Sequence, residues 1–172
     1  MLAARHPASV GRIVVIDALP FYSLTLYPGA TVESVRPQAD KMRAALLGLP
    51  REQFDEAQAA GAARLVKSGE ARKKLAVAVV ASDQGVVVRS MHELMTTDLR
   101  SELGSITVPA AVIYAYDATY GVPESTIDTL FRSAYANLKA AQFVRVNDTY
   151  HFIMYDQPER LADALGSFIG GQ

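Results

Sequence analysis

The sequence predicts an α/β fold with a short parallel sheet of about three strands, flanking helices and a helical insertion. Three apolar runs, at residues 12–17, 108–114 and 142–146, alternate with segments that have helical spacing. Continuous apolarity over so few residues is typical of a strand buried on both faces, as in a parallel sheet. Strands that alternate with helices indicate right-handed crossovers between parallel neighbours.

The composition fits one folded domain and argues against several classes of function. Of the 172 residues, 50% are hydrophobic and 20% are charged, so the chain has enough apolar residues for a core. The net charge of −1 gives no indication of a nucleic acid or a membrane as partner. There are no cysteines, and the three histidines, His6, His92 and His151, are far apart in the sequence. We therefore expect no disulfide, no thiol nucleophile, no metal and no cofactor.

The first half of the chain divides into a short core segment and an insertion. Residues 1–6 are predicted to end a helix that Pro7 stops, and residues 12–17, Arg-Ile-Val-Val-Ile-Asp, form the first strand. Residues 18–81 begin with three prolines and continue as alanine-rich segments with helical spacing. We interpret residues 18–81 as a helical cap insertion, and residues 1–17 with 82–172 as the core.

Helices also separate the strands of the second half. The predicted helices cover residues 84–96, 123–138 and those from 157 to the glycines at 170 and 171. Ser82 or Asp83 is suited to cap the first of them. Asp156 and Glu159 have the spacing of a capping box, which predicts the start of the last helix.

Polar side chains follow each of the three predicted strands. These are Asp17, then Asp117, and finally the loop Asn147-Asp148-Thr149-Tyr150-His151. Functional groups in open α/β sheets collect at the carboxyl ends of the strands. Taken alone, Asp17 is interpreted as a turn or cap contact, and His6 and His92 are interpreted as structural.

Two of these strand ends resemble a known family. Tyr114-Ala115-Tyr116-Asp117, followed by Pro123, resembles the loop that carries the acid in α/β hydrolases of the serine esterase type. The run from Asp148 to Met154, followed by Asp156-Gln157-Pro158-Glu159, resembles the histidine loop and the last helix of that family. The remaining segments resemble the end of the nucleophile helix (3–7), the strand after it (12–17), the cap (18–81) and the strand before the acid (108–113). The resemblance covers the whole chain but only the rear part of the family fold.

The resemblance implies a role for two residues. His151 would be the general base, and Asp117 would fix its tautomer and stabilise the imidazolium. The order of acid before histidine also agrees with the family order of serine, acid and histidine. The implied substrates are carboxylic esters or similar acyl compounds.

The sequence lacks the family's nucleophile motif. The serine of these enzymes lies in a Gly-x-Ser-x-Gly elbow between a strand and a helix. The nearest run, Pro7-Ala8-Ser9-Val10-Gly11, has a proline in place of the first glycine and follows a helix. The resemblance therefore implies a truncated hydrolase that is inactive alone, since the nucleophile, base and oxyanion hole act as a unit.

A missing front part has a consequence for assembly. The strand at 12–17 would present an unpaired apolar edge, and such edges recruit partners. We expect a homodimer that joins two of these edges, with contributions from the cap helices, or docking onto a separate front part. A small acyl compound is a further expected ligand. The N-terminus does not resemble a signal peptide, so the default location is cytoplasmic, although the parent enzyme could be exported.

Two other functions remain open at this stage. The chain could be a non-catalytic binding or oligomerisation module built on a hydrolase remnant, with an apolar surface lined by Tyr114, Tyr116, Tyr120 and Tyr150. Alternatively, it could be an enzyme in its own right that uses His151 with water or another serine. Three serines without motif support are available for that second possibility: Ser82, Ser90 and Ser125.

Overall fold

The computed structural model describes residues 1–139 and 141–171. These residues form two compact units: a sheet unit, Met1–Pro20 with Leu99–Gln172, and a helical unit, Phe21–Asp98. The strands are β1 (Ile13–Ile16), β2 (Ala110–Tyr116) and β3 (Ala141–Asn147). The α-helices are α1 (Leu2–Arg5), α2 (Val32–Leu47), α3 (Arg51–Ala63), α4 (Gly69–Val80), α5 (Gln84–Thr96), α6 (Glu124–Ala134), α7 (Ile153–Asp156) and α8 (Pro158–Gly170).

The sheet is parallel, as predicted, and β2 is its central strand. Ile13 of β1 pairs with Ala110 of β2, which in turn pairs with Ala141 of β3. Strand β2 continues to Tyr116, two residues beyond its predicted end, because Tyr116 still pairs with Asn147. The predicted fold class is therefore confirmed, and the carboxyl ends of all three strands lie at one edge of the sheet.

Helices cover the two faces of the central strand. Ile113 is fully buried in an apolar cluster with Ala115, Val146, Ile153 of α7 and Leu161 of α8. The next residue, Tyr114, stacks on Phe131 of α6 with ring centroids 4.4 Å apart. Neighbouring strand residues point to opposite faces, so α8 and α6 lie on opposite sides of the sheet.

The helical unit is larger than the predicted insertion. It extends to Asp98 and includes α5, whereas the predicted insertion ends at residue 81. Helix α5 packs against α2, and its residues Val88 and Met95 are buried. The Ser23 hydroxyl also donates to the Met95 carbonyl at 2.8 Å. Asp83 caps α5, as one of the two predicted alternatives, by accepting from the Val86 amide at 2.8 Å.

The predicted capping box before the last helix is absent. Helix α8 has Gln157 as its N-cap residue and Pro158 in its first turn. Asp156 instead ends the short helix α7, and its Oδ2 accepts from the Tyr150 amide at 3.0 Å. This carboxylate therefore stabilises the loop after β3 rather than the start of α8.

A partly buried polar network holds α6 against the sheet. The Tyr114 hydroxyl donates to Asp128 Oδ1 at 2.8 Å, and Arg145 Nη1 donates to Asp128 Oδ2 at 2.6 Å. Burial and the bond to Asp128 raise the pKa of Tyr114 to about 12. Burial alone would raise the pKa of Asp128, but the hydrogen bonds from Arg145 and Tyr114 outweigh it and lower that pKa. Asp128 is therefore ionised in the folded protein at neutral pH.

Replacing Asp128 with asparagine should lower the free energy of unfolding by about 1–3 kcal/mol at neutral pH, because hydrogen bonds to a charged group are lost. The folded-state pKa of Asp128 is depressed. Asp128 therefore contributes its full stabilisation above about pH 4, the ordinary aspartate pKa. This stabilisation is lost as the pH falls through the lower pKa that Asp128 has in the folded protein. Urea unfolding at several pH values measures both effects.

Glu124→Gln is the matched control, since Glu124 also contacts Arg145 but is 48% exposed. We expect it to change stability by less than about 1 kcal/mol, as is usual for an exposed ion pair. Equal losses in the two variants would contradict the assigned role of Asp128.

Candidate active site

Asp17 is fixed at the carboxyl end of β1 by two backbone bonds. Its amide donates to the Ile113 carbonyl at 2.7 Å, which continues the ladder with β2. The same ladder would next direct the Ala115 amide to the Asp17 carbonyl. However, Asp17 has φ 44°, a left-handed conformation that aspartate tolerates better than most residues. The chain turns away at this point, and the Asp17 side chain takes the bond instead, with Oδ1 2.8 Å from the Ala115 amide.

The second carboxylate oxygen of Asp17 contacts the histidine. Asp17 Oδ2 lies 2.9 Å from His151 Nδ1, and the Asp17 side chain is 14% exposed against 42% for His151. An ionised carboxylate only accepts hydrogen bonds, so Nδ1 carries the proton in this pair. In the neutral imidazole, Nε2 is then unprotonated and able to accept a proton. The arrangement fixes the histidine tautomer that a general base requires.

The observed hydrogen bond of His151 runs to Asp17, whereas the sequence predicts Asp117 as its acid. Asp17 Oδ2 is hydrogen-bonded to His151 Nδ1. Asp117 lies at the end of β2, is 3% exposed, and caps the short 3-10 turn Ala118–Tyr120. The interpretation of Asp17 as a turn contact alone was therefore incomplete, and the catalytic role of Asp117 stays a prediction.

The sequence contained one signal for the pair of Asp17 and His151. Both residues directly follow strands, and parallel strands end at the same edge of a sheet. With one strand between them, the ends of β1 and β3 are about 10 Å apart, which an aspartate and a histidine can bridge. The orientation of the Asp17 carboxylate depends on its positive φ, which the sequence does not specify.

Two tyrosines lie beside the ends of β2 and β3. The rings of Tyr120 and Tyr150 stack with centroids 5.8 Å apart, and Tyr116 contacts Tyr120 edge-on at 6.2 Å. Burial raises the pKa of Tyr120 most, and the negative charges of the nearby Asp17 and Asp117 carboxylates raise it further. Tyr114 and Tyr116 are buried, so of the four predicted surface tyrosines only Tyr120 is exposed and Tyr150 is half-buried.

The other candidate residues lie elsewhere. His92 Nε2 of α5 is 2.6 Å from Asp40 Oδ1 of α2, which agrees with a structural role. Ser9 is exposed in the 3-10 turn Pro7–Ser9, so it does not occupy a strand-to-helix elbow. Within residues 1–139 and 141–171, no cluster of three or more acidic, histidine or cysteine side chains is placed to bind a metal. None of the helices in this part of the chain has the length and apolarity to cross a membrane.

Comparison with known proteins identifies the fold. No family model matches the chain, and no curated protein matches it. Among solved structures, a hydrolase from Pseudomonas aeruginosa PA01 superposes with a TM-score of 0.74 at 21% identity, covering 99% of this chain and 59% of that one. The enol-lactonase from Burkholderia xenovorans LB400 superposes with a TM-score of 0.69 at 20% identity, covering 98% of this chain and 60% of that chain. MenH from S. aureus superposes with a TM-score of 0.73 at 11% identity, covering 98% of this chain and 62% of that chain.

The chain has a partial α/β-hydrolase fold. Nearly all of it superposes on these structures, but it spans only about 60% of their length. Identities of 11–21% establish the shared fold and not a shared substrate. Within this partial hydrolase fold, β1, β2 and β3 bring Asp17, Asp117 and His151 to one edge of the sheet.

Proposed function

We propose that this chain supplies the acid and the base of a serine hydrolase site that acts on carboxylic esters or similar acyl compounds. The observation that carries the proposal is the bond between His151 Nδ1 and Asp17 Oδ2 at 2.9 Å. Because the Ala115 amide holds Oδ1, the carboxylate cannot turn away without losing a backbone bond. The hydrolase-like fold of the solved structures that match the chain gives further support.

The proposed chemistry assigns one step to each side chain. His151 Nε2 takes the proton of a serine hydroxyl as that oxygen attacks the acyl carbon. The imidazolium then gives the proton to the leaving oxygen, and the acyl-enzyme is hydrolysed by water in the reverse order. Asp17 keeps the proton on Nδ1 in the resting state and stabilises the imidazolium while it exists.

The nucleophile has to come from outside these residues. The sequence has no Gly-x-Ser-x-Gly motif, and Ser9 lies in a 3-10 turn. We therefore propose that the chain by itself does not turn over esters, since a base without a nucleophile and an oxyanion hole has little catalytic power. A preceding segment or a separate chain with the elbow would complete the site.

The test is labelling with a fluorescent fluorophosphonate, which reacts with activated serines. We expect no labelling of the 172-residue chain and stoichiometric labelling of a form extended upstream at its genomic locus. Hydrolysis of nitrophenyl acetate should follow the same pattern, and His151→Gln in the extended form should abolish it. Stoichiometric labelling of the shorter chain would contradict the proposal and would direct attention to Ser82, Ser90 and Ser125.

The alternative is a binding module without turnover. The exposed ring of Tyr120, stacked on Tyr150, is the observation that favours it, because an aromatic pair beside polar groups suits an acyl or aryl ligand. Saturable binding of a nitrophenyl ester that stays intact, together with an extended form that also fails to label, would favour this function over the hydrolase.

We further propose that the chain forms a homodimer through β1. Among the described residues, β1 has one strand neighbour, β2, and its four residues are only half-buried. The amides of Ile13 and Asp17 bond to β2, so the alternation of the ladder directs the Val14 amide to the open edge. A second copy offers the same edge and can pair with it around a twofold axis.

Light scattering at micromolar concentration should give about twice the chain mass of 18.6 kDa. Val14→Pro should give the monomer, because proline removes an outward amide without breaking the bonds to β2. A monodisperse monomer for the unaltered chain would contradict the dimer.

A further inference from the structure

Asp117 is hydrogen-bonded to the turn that follows β2. Asp117 Oδ1 accepts from the Thr119 amide at 2.9 Å and from the Thr119 hydroxyl at 2.5 Å. Both bonds fix the turn that follows β2. The carboxylate itself is 3% exposed, and a buried carboxylate that loses a hydrogen bond is costly, although Thr119 is exposed and the two bonds are only partly buried.

The chain of hydrogen bonds continues to the residue beside His151. Thr119 Oγ1 lies 3.0 Å from the Tyr150 hydroxyl. A threonine hydroxyl has one proton, and here it goes to Asp117. Tyr150 must therefore be the donor to Thr119, which makes a directed series from the Tyr150 hydroxyl through the Thr119 hydroxyl to the Asp117 carboxylate. Successive hydrogen bonds of this kind strengthen one another.

The same tyrosine is held at two further points. Its amide donates to Asp156 Oδ2 at 3.0 Å, and its ring stacks on Tyr120 with centroids 5.8 Å apart. These contacts fix the main chain and the ring of the residue that precedes His151. We define the histidine loop as residues 148–152, between β3 and α7.

We propose that Asp117 is a positioning residue, which holds the histidine loop in place through Thr119 and Tyr150 while Asp17 holds the imidazole itself. The two carboxylates thus have separate tasks: one sets the place of the loop, and the other sets the tautomer of the ring. The inference rests on the proposed role of His151 as general base, but its test needs no turnover and can fail independently of that role.

The test uses the chain as it is, with two NMR measurements. Amide hydrogen exchange in the histidine loop reports how firmly the loop is held. The nitrogen-15 shifts of the His151 ring report which nitrogen carries the proton in the neutral form. Thr119→Val keeps the shape of the side chain and removes the hydroxyl, Thr119→Ser keeps the hydroxyl, and Tyr150→Phe removes the terminal donor.

We expect Thr119→Val and Tyr150→Phe to speed exchange in the loop about 3- to 10-fold, the effect of one lost hydrogen bond. Both should also reduce, without abolishing, the fraction of His151 protonated on Nδ1, whereas Thr119→Ser should restore both readings to those of the unaltered chain. Asp117→Asn should behave like Thr119→Val. Asp17→Asn should abolish the preference for Nδ1 and leave exchange in the loop unchanged.

Two outcomes would overturn the proposal. If Asp117→Asn abolished the preference for Nδ1 while Thr119→Val changed neither reading, Asp117 would itself be the partner of the imidazole. If neither Thr119→Val nor Tyr150→Phe altered exchange, the hydroxyl series would not hold the loop.

Discussion

Asp17→Asn should lower kcat about 10⁴-fold in a form of the protein that carries a nucleophile, which is the usual effect of losing the acid beside a catalytic histidine. The amide keeps the size of the side chain, and its oxygen can still accept from the Ala115 amide. Its nitrogen then faces His151 Nδ1 as a donor, so the ring is driven to the tautomer with the proton on Nε2. That tautomer cannot take the proton of a serine.

The variant is suited to the question because asparagine, like aspartate, tolerates the left-handed backbone found at Asp17. Asp148→Asn is the matched control, since Asp148 also has a positive φ and its side chain is 72% exposed. We expect kcat of the control to stay within about twofold of the parent, because exposed substitutions rarely have large effects. Steady-state hydrolysis of a nitrophenyl ester measures both. A parent-like kcat for Asp17→Asn would show that another group supports the histidine.

Ile113→Ala should lower the free energy of unfolding by about 2–5 kcal/mol, the usual range for truncating a buried isoleucine. Ile113 has no exposed surface and lies in the central strand, packed against Ile153 and Leu161. A sheet of three strands has few neighbours that can move into the space, so the upper part of the range is expected. Urea unfolding followed by circular dichroism provides the measurement.

The control for this variant is Ile169→Ala in α8. The side chain of Ile169 is 59% exposed, so the same atoms are removed without making a cavity. We expect a change below about 0.5 kcal/mol, as for most surface substitutions. Similar losses at both positions would mean that β2 is not the centre of a packed core.

These effects also separate folding from chemistry. The Ile113 side chain takes no part in the proposed proton transfer. It packs in the core beneath β2, the strand that also carries the Ala115 amide bonded to Asp17. A destabilised variant should therefore lose activity only in proportion to the unfolded fraction, whereas Asp17→Asn should lose it while folded. Measuring stability and kcat on both variants distinguishes the two causes.

Local features of the sequence predicted most of the fold. The runs at 12–17, 108–114 and 142–146 are apolar over lengths that fit buried strands, and each became one. The start of a helix was predicted where a single capping residue is enough to define it, as Asp83 does for α5. The capping box at Asp156 failed because that carboxylate has a competing donor, the Tyr150 amide, which only the folded loop brings near.

The boundary of the helical unit shows a similar limit. The amphipathic pattern of α5 shows that one face is buried, but not which element covers it. Its partner proved to be α2, more than thirty residues earlier in the chain, and that choice moved the boundary from 81 to Asp98. Contacts between distant segments determine domain membership, and periodicity alone does not specify them.

Motifs in the amino-acid sequence predicted a partial α/β-hydrolase fold, which the solved structures confirm, and they showed that acidic residues and His151 follow the strands and that no Gly-x-Ser-x-Gly elbow is present. The choice of Asp17 as a hydrogen-bond partner of His151 follows from the folded structure alone. That choice depends on a single backbone turn at Asp17, which sends one carboxylate oxygen to the Ala115 amide and the other to the imidazole. Such a geometry arises when three strands from distant parts of the chain are already side by side, because Asp17 bonds to Ile113 and Ala115 of β2 and to His151 in the loop after β3, and no local pattern encodes these contacts.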